Sequence, residues 1–214
     1  MPSKDRLRAY RERRDFDTTS EPEGSDPAEH KDEPIFVIQK HAARTTHYDF
    51  RIEVDGVLKS WAVPKGPSTA PRDRRLAIPT EDHPLDYAHF EGVVPPDEYG
   101  AGPVIVWDTG TYRNIKEHGE PGGMSQALAS GHVEIWLEGK KLRGGYALIR
   151  TGKDRRERER WLLVKMKDEA ADPARDPVAD EPQSVLSGKT VEDVAEKEGT
   201  GEKSGEQSSD KERG

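Results

Sequence analysis

The chain has 214 residues, of which 36% are charged and 31% hydrophobic, and it contains no cysteine, which excludes disulfide bonds and a thiolate metal site. The net charge of -8 lies entirely in residues 168–214, so the neutral remainder does not exclude a nucleic-acid partner. Apolar runs reach only about four residues, which excludes a membrane-spanning helix of ~20 residues and a signal sequence, and we expect a cytoplasmic monomer without membrane contact.

The first 33 residues combine a basic stretch with a turn-rich stretch that has little to bury. We expect residues 1–33 to form a basic N-terminal arm that packs near the functional site. Its basic residues cluster between residues 4 and 14, and similar clusters recur at 72–75 and 153–160.

Short apolar or alternating runs begin at residue 35 and are separated by Gly and Pro, a pattern that favours antiparallel strands. The Asp55-Gly56 pair predicts a tight hairpin turn, and Gly131 ends a predicted short helix over residues 124–130. We therefore predict a mainly β fold, a compact antiparallel β-barrel of about eight strands with short helices, over residues 34–167. The candidate strands cover residues 35–39, 46–54, 57–63, 76–78, 104–108, 132–137, 146–151 and 161–166.

The last part of the chain alternates Asp, Pro, Ala and Glu and ends in Gly, Ser, Lys and Glu. Such a composition buries too little apolar surface to offset its ordering entropy. We predict that residues 168–214 are an acidic, largely disordered tail, in which Thr190 is placed to cap a two-turn helix.

The segment from His41 to Arg51 concentrates side chains that bind metals and anions. On an extended strand, His47, Asp49 and Arg51 point to one face, while the residues between them pack the other face against the core. Imidazole and carboxylate are ligands of borderline divalent metals such as Mn, Fe or Zn, and an adjacent arginine can hold an anion. A second polar cluster, residues 81–87, contains a proline that presents polar side chains from a loop.

By spacing alone, the first cluster fits two classes of enzyme. One is a hydrolase of phosphate esters, in which Arg51 contacts the phosphate. The other is a non-haem Fe(II) oxygenase with a facial triad of His47, Asp49 and a distant His118 or His132. The oxygenase interpretation leaves His41, Arg51 and the second polar cluster without a role.

Six motifs follow one another along the chain: RRDF at 13–16, FVIQKH at 36–41, HYDFRIE at 47–53, GVLKSWAVPKGP at 56–67, EDHPLDY at 81–87 and EYGAG at 98–102. In this order they resemble the 3'-phosphoesterase module of bacterial DNA ligase D. The resemblance implies a manganese-dependent enzyme, with Co²⁺ or Zn²⁺ as alternative metals, that acts on DNA 3' ends and primer-templates during non-homologous end joining. Such an enzyme removes a 3'-terminal ribonucleoside as a phosphodiesterase and then the 3'-phosphate as a phosphomonoesterase, leaving a 3'-hydroxyl.

The resemblance also implies roles for individual residues. The metal ligands would be His41, His47 and Asp49. The catalytic residues would be Arg51, His83 and Tyr87, with His83 as general acid or as charge stabiliser. Supporting positions would be Arg14, Asp15, Glu21, Gln39, Lys65, Arg75 and Glu81. A carboxylate or a carbonyl is expected to hold the other ring nitrogen of each metal-binding histidine, and the candidate carboxylates are Glu53, Glu81 or Asp82.

The sequence departs from the family pattern in two places. Thr45-Thr46 precedes His47, where the family often has Arg-Leu, and the ligase nucleophile motif is missing because Glu53 stands where Lys-x-Asp-Gly would have its lysine. We therefore expect a free-standing phosphoesterase that works with a separate ligase, polymerase or Ku-like protein. The alternative is a non-catalytic module that binds DNA ends.

Overall fold

The computed structural model describes residues 5–24, 33–116 and 123–201. Eight antiparallel strands form a closed barrel, because β1 pairs with β2 on one side and with β6 on the other. The order around the barrel is β1-β2-β3-β4-β9-β8-β7-β6, and a short β5 pairs with β6. The predicted mainly β barrel of about eight strands is therefore confirmed. The strands are β1 (Ile35–Ala42), β2 (Thr46–Val54), β3 (Val57–Val63), β4 (Arg74–Pro79), β5 (Gly92–Val94), β6 (Gly102–Asn114), β7 (His132–Gly139), β8 (Arg143–Lys153) and β9 (Glu159–Lys165).

Helices are short in the described part of the chain. They are α1 (Arg8–Arg11), α2 (Gly123–Ser130), α3 (Pro177–Asp180), α4 (Val191–Gly201) and a 3-10 helix (Leu85–His89). Helix α2 corresponds to the helix predicted over residues 124–130. None of the helices described is long and apolar enough to cross a bilayer.

The barrel interior is a packed apolar core to which all eight strands contribute. On β2 the inward side chains include Phe50 and Ile52, which pair across β1 with Ile38 and Phe36. Since side chains alternate along a strand, the outer face of the barrel carries Gln39 and His41 of β1 and His47, Asp49 and Arg51 of β2. The predicted division of β2 into a polar face and a core face is thus confirmed.

A second apolar cluster covers the outer face of β1, β3 and β6. It contains Tyr10 from the N-terminal segment and Tyr87, Ala88 and Phe90 from the 3-10 helix and its end. Tyr10 is fully buried and its hydroxyl donates to the Pro22 carbonyl at 2.6 Å. Tyr10 thus anchors the N-terminal segment on the outer face of the barrel.

The predicted hairpin turn between β2 and β3 is confirmed. Asp55 has φ of 50° and Gly56 has φ of 80°, so both central residues are left-handed as a type I' turn requires. The turn fixes the register of β2 against β3, which pairs Arg51 with Ser60 and Asp49 with Ala62.

Residues 168–201 differ from the prediction of a largely disordered tail, because they pack against the barrel. Val191 and Val194 of α4 are buried against Ile105 of β6. Thr190 caps α4 by accepting from the Asp193 backbone N–H at 3.2 Å, and the Trp107 indole donates to the Glu181 carbonyl at 2.7 Å. The prediction of disorder rested on the average composition of the segment, which does not reveal these few contacts. Residues 202–214 lie outside the described part.

Candidate active site

Strand pairing brings the three predicted metal ligands together. His41 of β1 is directly opposite His47 of β2, and Asp49 follows His47 on the same outer face. One ligand atom from each residue lies within 4.8 Å of the other two. The sequence pattern on β2 and the register with β1 together create this cluster.

The geometry of the cluster fits a divalent metal. His41 Nδ1 lies 3.7 Å from Asp49 Oδ2 and His47 Nε2 lies 3.6 Å from Asp49 Oδ1, both too long for a hydrogen bond. The buried His41 Nε2 has no hydrogen-bond partner among the described residues, and leaving such an atom unpaired is costly. Imidazole and carboxylate together suit a borderline metal.

A backbone carbonyl orients His47. The His47 Nδ1 lies 3.0 Å from the Thr45 carbonyl, which leaves Nε2 facing Asp49. Metal-binding histidines are commonly held in this way. A backbone carbonyl, one of the two kinds of partner expected, thus takes this place for His47, and the three candidate carboxylates are engaged elsewhere. Glu53 accepts from the Ile35 N–H, Glu81 pairs with Arg13 and Arg14, and Asp82 pairs with Lys59.

The Asp49 carboxylate is ionised. Burial alone would raise its pKa, but Arg51 and the two imidazoles outweigh burial and hold the pKa of Asp49 below its usual range. A buried carboxylate that stays anionic beside two imidazoles is a strong ligand for a cation.

Arg51 is the centre of the hydrogen-bond network beside the cluster. It is buried, and it donates from Nε to Gln39 Oε1 at 2.8 Å and from Nη2 to Asp49 Oδ2 at 3.2 Å. The Gln39 amide in turn donates to the Tyr87 and Phe90 carbonyls at 3.0 and 3.1 Å. Arg51 is thus held in one orientation, and its Nη1 also contacts His83. Of its five N–H groups, two remain to meet an anion in the cavity.

His83 lies between two guanidinium groups. Its Nδ1 is 3.0 Å from Arg51 Nη1 and 2.9 Å from the Glu81 carbonyl, and its Nε2 is 3.4 Å from Arg14 Nη2. Burial, followed by the charges of Arg51 and Arg14, lowers the pKa of His83 well below its ordinary value. The imidazole is therefore neutral in the absence of an anion.

Arg14 and Tyr87 share a buried carboxylate. Arg14 Nε donates to Glu21 Oε1 at 3.0 Å, and the Tyr87 hydroxyl donates to the same oxygen at 2.7 Å. Burial and the nearby Glu21 charge raise the pKa of Tyr87 well above its ordinary value, so the phenol stays protonated. The Arg51 guanidinium lies 5.0 Å from the Tyr87 ring centroid. Tyr87 therefore contacts Arg51 through its ring and is linked to Arg14 through Glu21.

These groups line one open cavity of about 560 Å³ on the outer face of the barrel. Its wall combines a metal-ligand cluster, two arginines held by acidic partners and a neutral imidazole. Among the sequence-predicted site residues it includes Arg14, Glu21, His41, His47, Asp49, Arg51, Glu81, His83 and Tyr87. Such a cavity can hold a phosphate ester between a cation and two guanidinium groups.

Comparison with known proteins agrees with this chemistry. Residues 39–150 match the family model of the DNA Ligase D 3'-phosphoesterase domain, just over half of the chain. The chain belongs to this family.

Proteins named LigD from several bacteria are similar to this chain. This chain is 47% identical over 194 residues to the multifunctional non-homologous end joining protein LigD of Pseudomonas aeruginosa, covering 89% of this chain and 22% of that protein. It is 48% identical over 168 residues to the LigD of Mycobacterium tuberculosis H37Rv, covering 78% of this chain and 21% of the relative. The chain thus spans about a fifth of the length of these relatives.

Four of the expected supporting residues do not line the cavity. Gln39 lies directly behind it and holds Arg51, as described above. Asp15 is exposed and its backbone N–H reaches Glu98 at 3.4 Å. Lys65 is exposed after β3, and Arg75 of β4 pairs with Asp73 at 3.1 Å.

Several cavity residues were not predicted from the sequence. Arg44 lies in the turn between the two ligand-bearing strands, and Thr80, Glu98 and Tyr99 also line the wall. Tyr99 lies within the EYGAG motif, which was the available signal, but a motif alone assigns no role. Tyr10, whose ring centroid lies 5.0 Å from that of His83, gave no chemical signal because it reads as a core residue.

The oxygenase alternative finds no support in the placement of His132. Its Nε2 lies 3.0 Å from Glu134 on β7, and it does not line the cavity. His118 lies outside the described residues. The residue that joins His47 and Asp49 is His41, which the facial-triad interpretation left without a role.

Proposed function

We propose that this chain is a manganese-dependent 3'-phosphoesterase that heals DNA 3' ends in the cytoplasm for non-homologous end joining. It removes 3'-terminal ribonucleosides and 3'-phosphates and leaves 3'-hydroxyl ends. Family membership supports this proposal, as do the printed names of the relatives. The observation that carries it is the placement of a two-histidine, one-aspartate cluster beside two buried arginines in one cavity.

The scissile phosphate would be held by the two arginines. Arg51 keeps N–H groups free on its terminal nitrogens, and Arg14 lines the same cavity. Guanidinium groups match phosphate oxygens in shape and charge. A divalent metal held by His41, His47 and Asp49 would neutralise phosphate charge and lower the pKa of a bound water.

His83 responds to the phosphate charge. Without an anion, its pKa is low because of burial and the two arginines. A bound phosphate, which is a monoanion in the diester and a dianion in the monoester, offsets one or both cationic charges. It thereby raises the pKa of His83 and favours an imidazolium that donates a proton toward the leaving oxygen. Arg51 and Arg14 thus favour a neutral His83 in the free site, and bound phosphate favours the protonated form.

Both reactions use one phosphate position. In the diesterase step, water oxygen bonds to phosphorus, the bond to the 5'-oxygen of the terminal ribonucleoside breaks, and that oxygen gains a proton. In the monoesterase step, a second water attacks, the bond to the 3'-oxygen breaks, and a 3'-hydroxyl and inorganic phosphate are released.

Substitution of Asp49 distinguishes this enzyme from a non-catalytic module that binds DNA ends. The experiment measures affinity for a fluorescent 3'-phosphorylated duplex by anisotropy, and phosphate release from the same duplex with Mn²⁺. Asp49→Ala should retain much of the binding and lose turnover, whereas His132→Ala, a histidine outside the cavity, should change neither. A wild-type protein that binds tightly and releases no phosphate refutes the catalytic proposal.

A further inference from the structure

We propose that Tyr99 is a stacking platform for the nucleobase that adjoins the scissile phosphate. The inference rests on the proposed function and adds a substrate-positioning residue to it. Tyr99 belongs to the loop of residues 95–101, which forms part of the cavity wall together with Glu98 and Gly100.

Tyr99 presents an aromatic surface to solvent at the cavity. Among the described residues, Tyr99 at 54% exposure and Leu186 at 49% are the large apolar side chains that remain exposed. Leu186 does not line the cavity, whereas Tyr99 does. A planar ring of a ligand can stack on an exposed aromatic side chain in the wall of a polar cavity.

The ring is held in position by Arg13. The Arg13 guanidinium lies 4.8 Å from the Tyr99 ring centroid, and its Nη1 donates to Glu81 Oε2 at 2.8 Å. Glu81 also accepts from Arg14 of the phosphate-binding group at 3.4 Å. The aromatic ring is thus linked through Arg13 and Glu81 to the residues proposed to hold the phosphate.

The loop that carries Tyr99 is anchored close to a metal ligand. Glu98 accepts from the Thr18 hydroxyl at 2.8 Å, and turn bonds join Glu98 N–H to the Pro95 carbonyl and Ala101 N–H to the Glu98 carbonyl. Gly100 adopts φ of 87°, and a Cβ at this position would lie 3.5 Å from Cε1 of His41. Tyr99 therefore immediately precedes a residue that lies close to the metal ligand His41.

A nucleobase is the ligand that these features fit. The phosphate at the arginines is attached to a nucleotide whose base must lie nearby, and Arg44 at the cavity adds positive charge for the phosphodiester backbone. Every base has a π-face, so stacking positions a 3' end without selecting its sequence. An enzyme that heals broken ends of arbitrary sequence requires such tolerance.

The test uses single strands that end in a 3'-phosphate, with either 2-aminopurine or an abasic site at the terminal position. Stacking quenches 2-aminopurine fluorescence, and KM and kcat for phosphate release are measured with Mn²⁺. Tyr99→Ala should lose the quenching and raise KM for the base-bearing strand about 10-fold, with a smaller change in kcat. Tyr99→Phe should retain quenching and KM, and Leu186→Ala serves as the control outside the cavity.

The abasic strand separates stacking from a structural role. The KM of the wild-type protein for the abasic strand should equal the KM of Tyr99→Ala for the base-bearing strand. Removal of the base should not raise the KM of Tyr99→Ala any further. An unchanged KM in Tyr99→Ala, or an equal rise on both strands, overturns the inference. Absence of phosphate release from every strand by the wild-type protein refutes the proposed function instead, while the quenching measurement still decides the stacking.

Discussion

Replacement of Gln39 by leucine tests whether a buried amide holds the phosphate-binding arginine. Gln39 is fully buried and satisfies three partners: it donates to the Tyr87 and Phe90 carbonyls and accepts from Arg51 Nε. Leucine has a similar volume, so Gln39→Leu opens no large cavity but leaves all three groups without a partner. Taking about 1 kcal/mol for each carbonyl and about 2 kcal/mol for the guanidinium N–H, the free energy of unfolding should fall by about 4 kcal/mol.

Urea denaturation of both proteins measures this change. Gln126→Leu on the exposed surface of α2 is the matched control and should stay within about 0.5 kcal/mol of wild type. Gln39→Leu should also weaken binding of inorganic phosphate, because Arg51 loses its fixed orientation. A Gln39→Leu protein within about 1 kcal/mol of wild type contradicts the role assigned to the amide.

Three further predictions concern the metal, the imidazole and the C-terminal helix. Asp49→Asn should weaken Mn²⁺ binding by more than the roughly 10–100-fold that loss of an outer partner costs; unchanged affinity in an electron paramagnetic resonance titration excludes the carboxylate as a ligand. Because burial and two arginines hold the pKa of His83 low, the folded state takes up fewer protons than the unfolded state as the pH falls below about 6.5. Acidification from about pH 7 to about pH 5 should therefore lower the unfolding free energy of wild type more than that of His83→Asn, and parallel pH curves contradict this. Val191→Ala should lower the unfolding free energy by about 1–2 kcal/mol through lost burial against β6, while the exposed Glu192→Ala should have little effect in the same denaturation assay.

Local signals made most of the barrel predictable. Alternation along residues 46–54 and the Asp55-Gly56 turn specify a hairpin with one apolar and one polar face, and the structure has both. Strand β5 has only three residues, too few for a periodic pattern to stand out. The packing of residues 168–201 depends on long-range contacts such as Val191 with Ile105, which composition does not reveal.

The candidate site was predictable where chemistry coincides with strand spacing. His47 and Asp49 lie two residues apart on β2, so their shared face follows from the sequence, whereas the partnership of His41 with His47 needed the register of β1. The carbonyl of Thr45, which orients His47, is a backbone group and leaves no trace in residue identity. Tyr99 was missed because its proximity to the ligands depends on how a loop folds back against His41.

Product analysis on a 5'-labelled primer-template with a single 3'-terminal ribonucleotide measures both proposed reactions in one assay. With Mn²⁺, the wild-type protein should first produce a strand one nucleotide shorter that ends in a 3'-phosphate and then convert it to a 3'-hydroxyl end. Asp49→Ala should produce neither species under the same conditions. An unchanged primer with Mn²⁺ and the wild-type protein, or equal products from wild type and Asp49→Ala, contradicts the account.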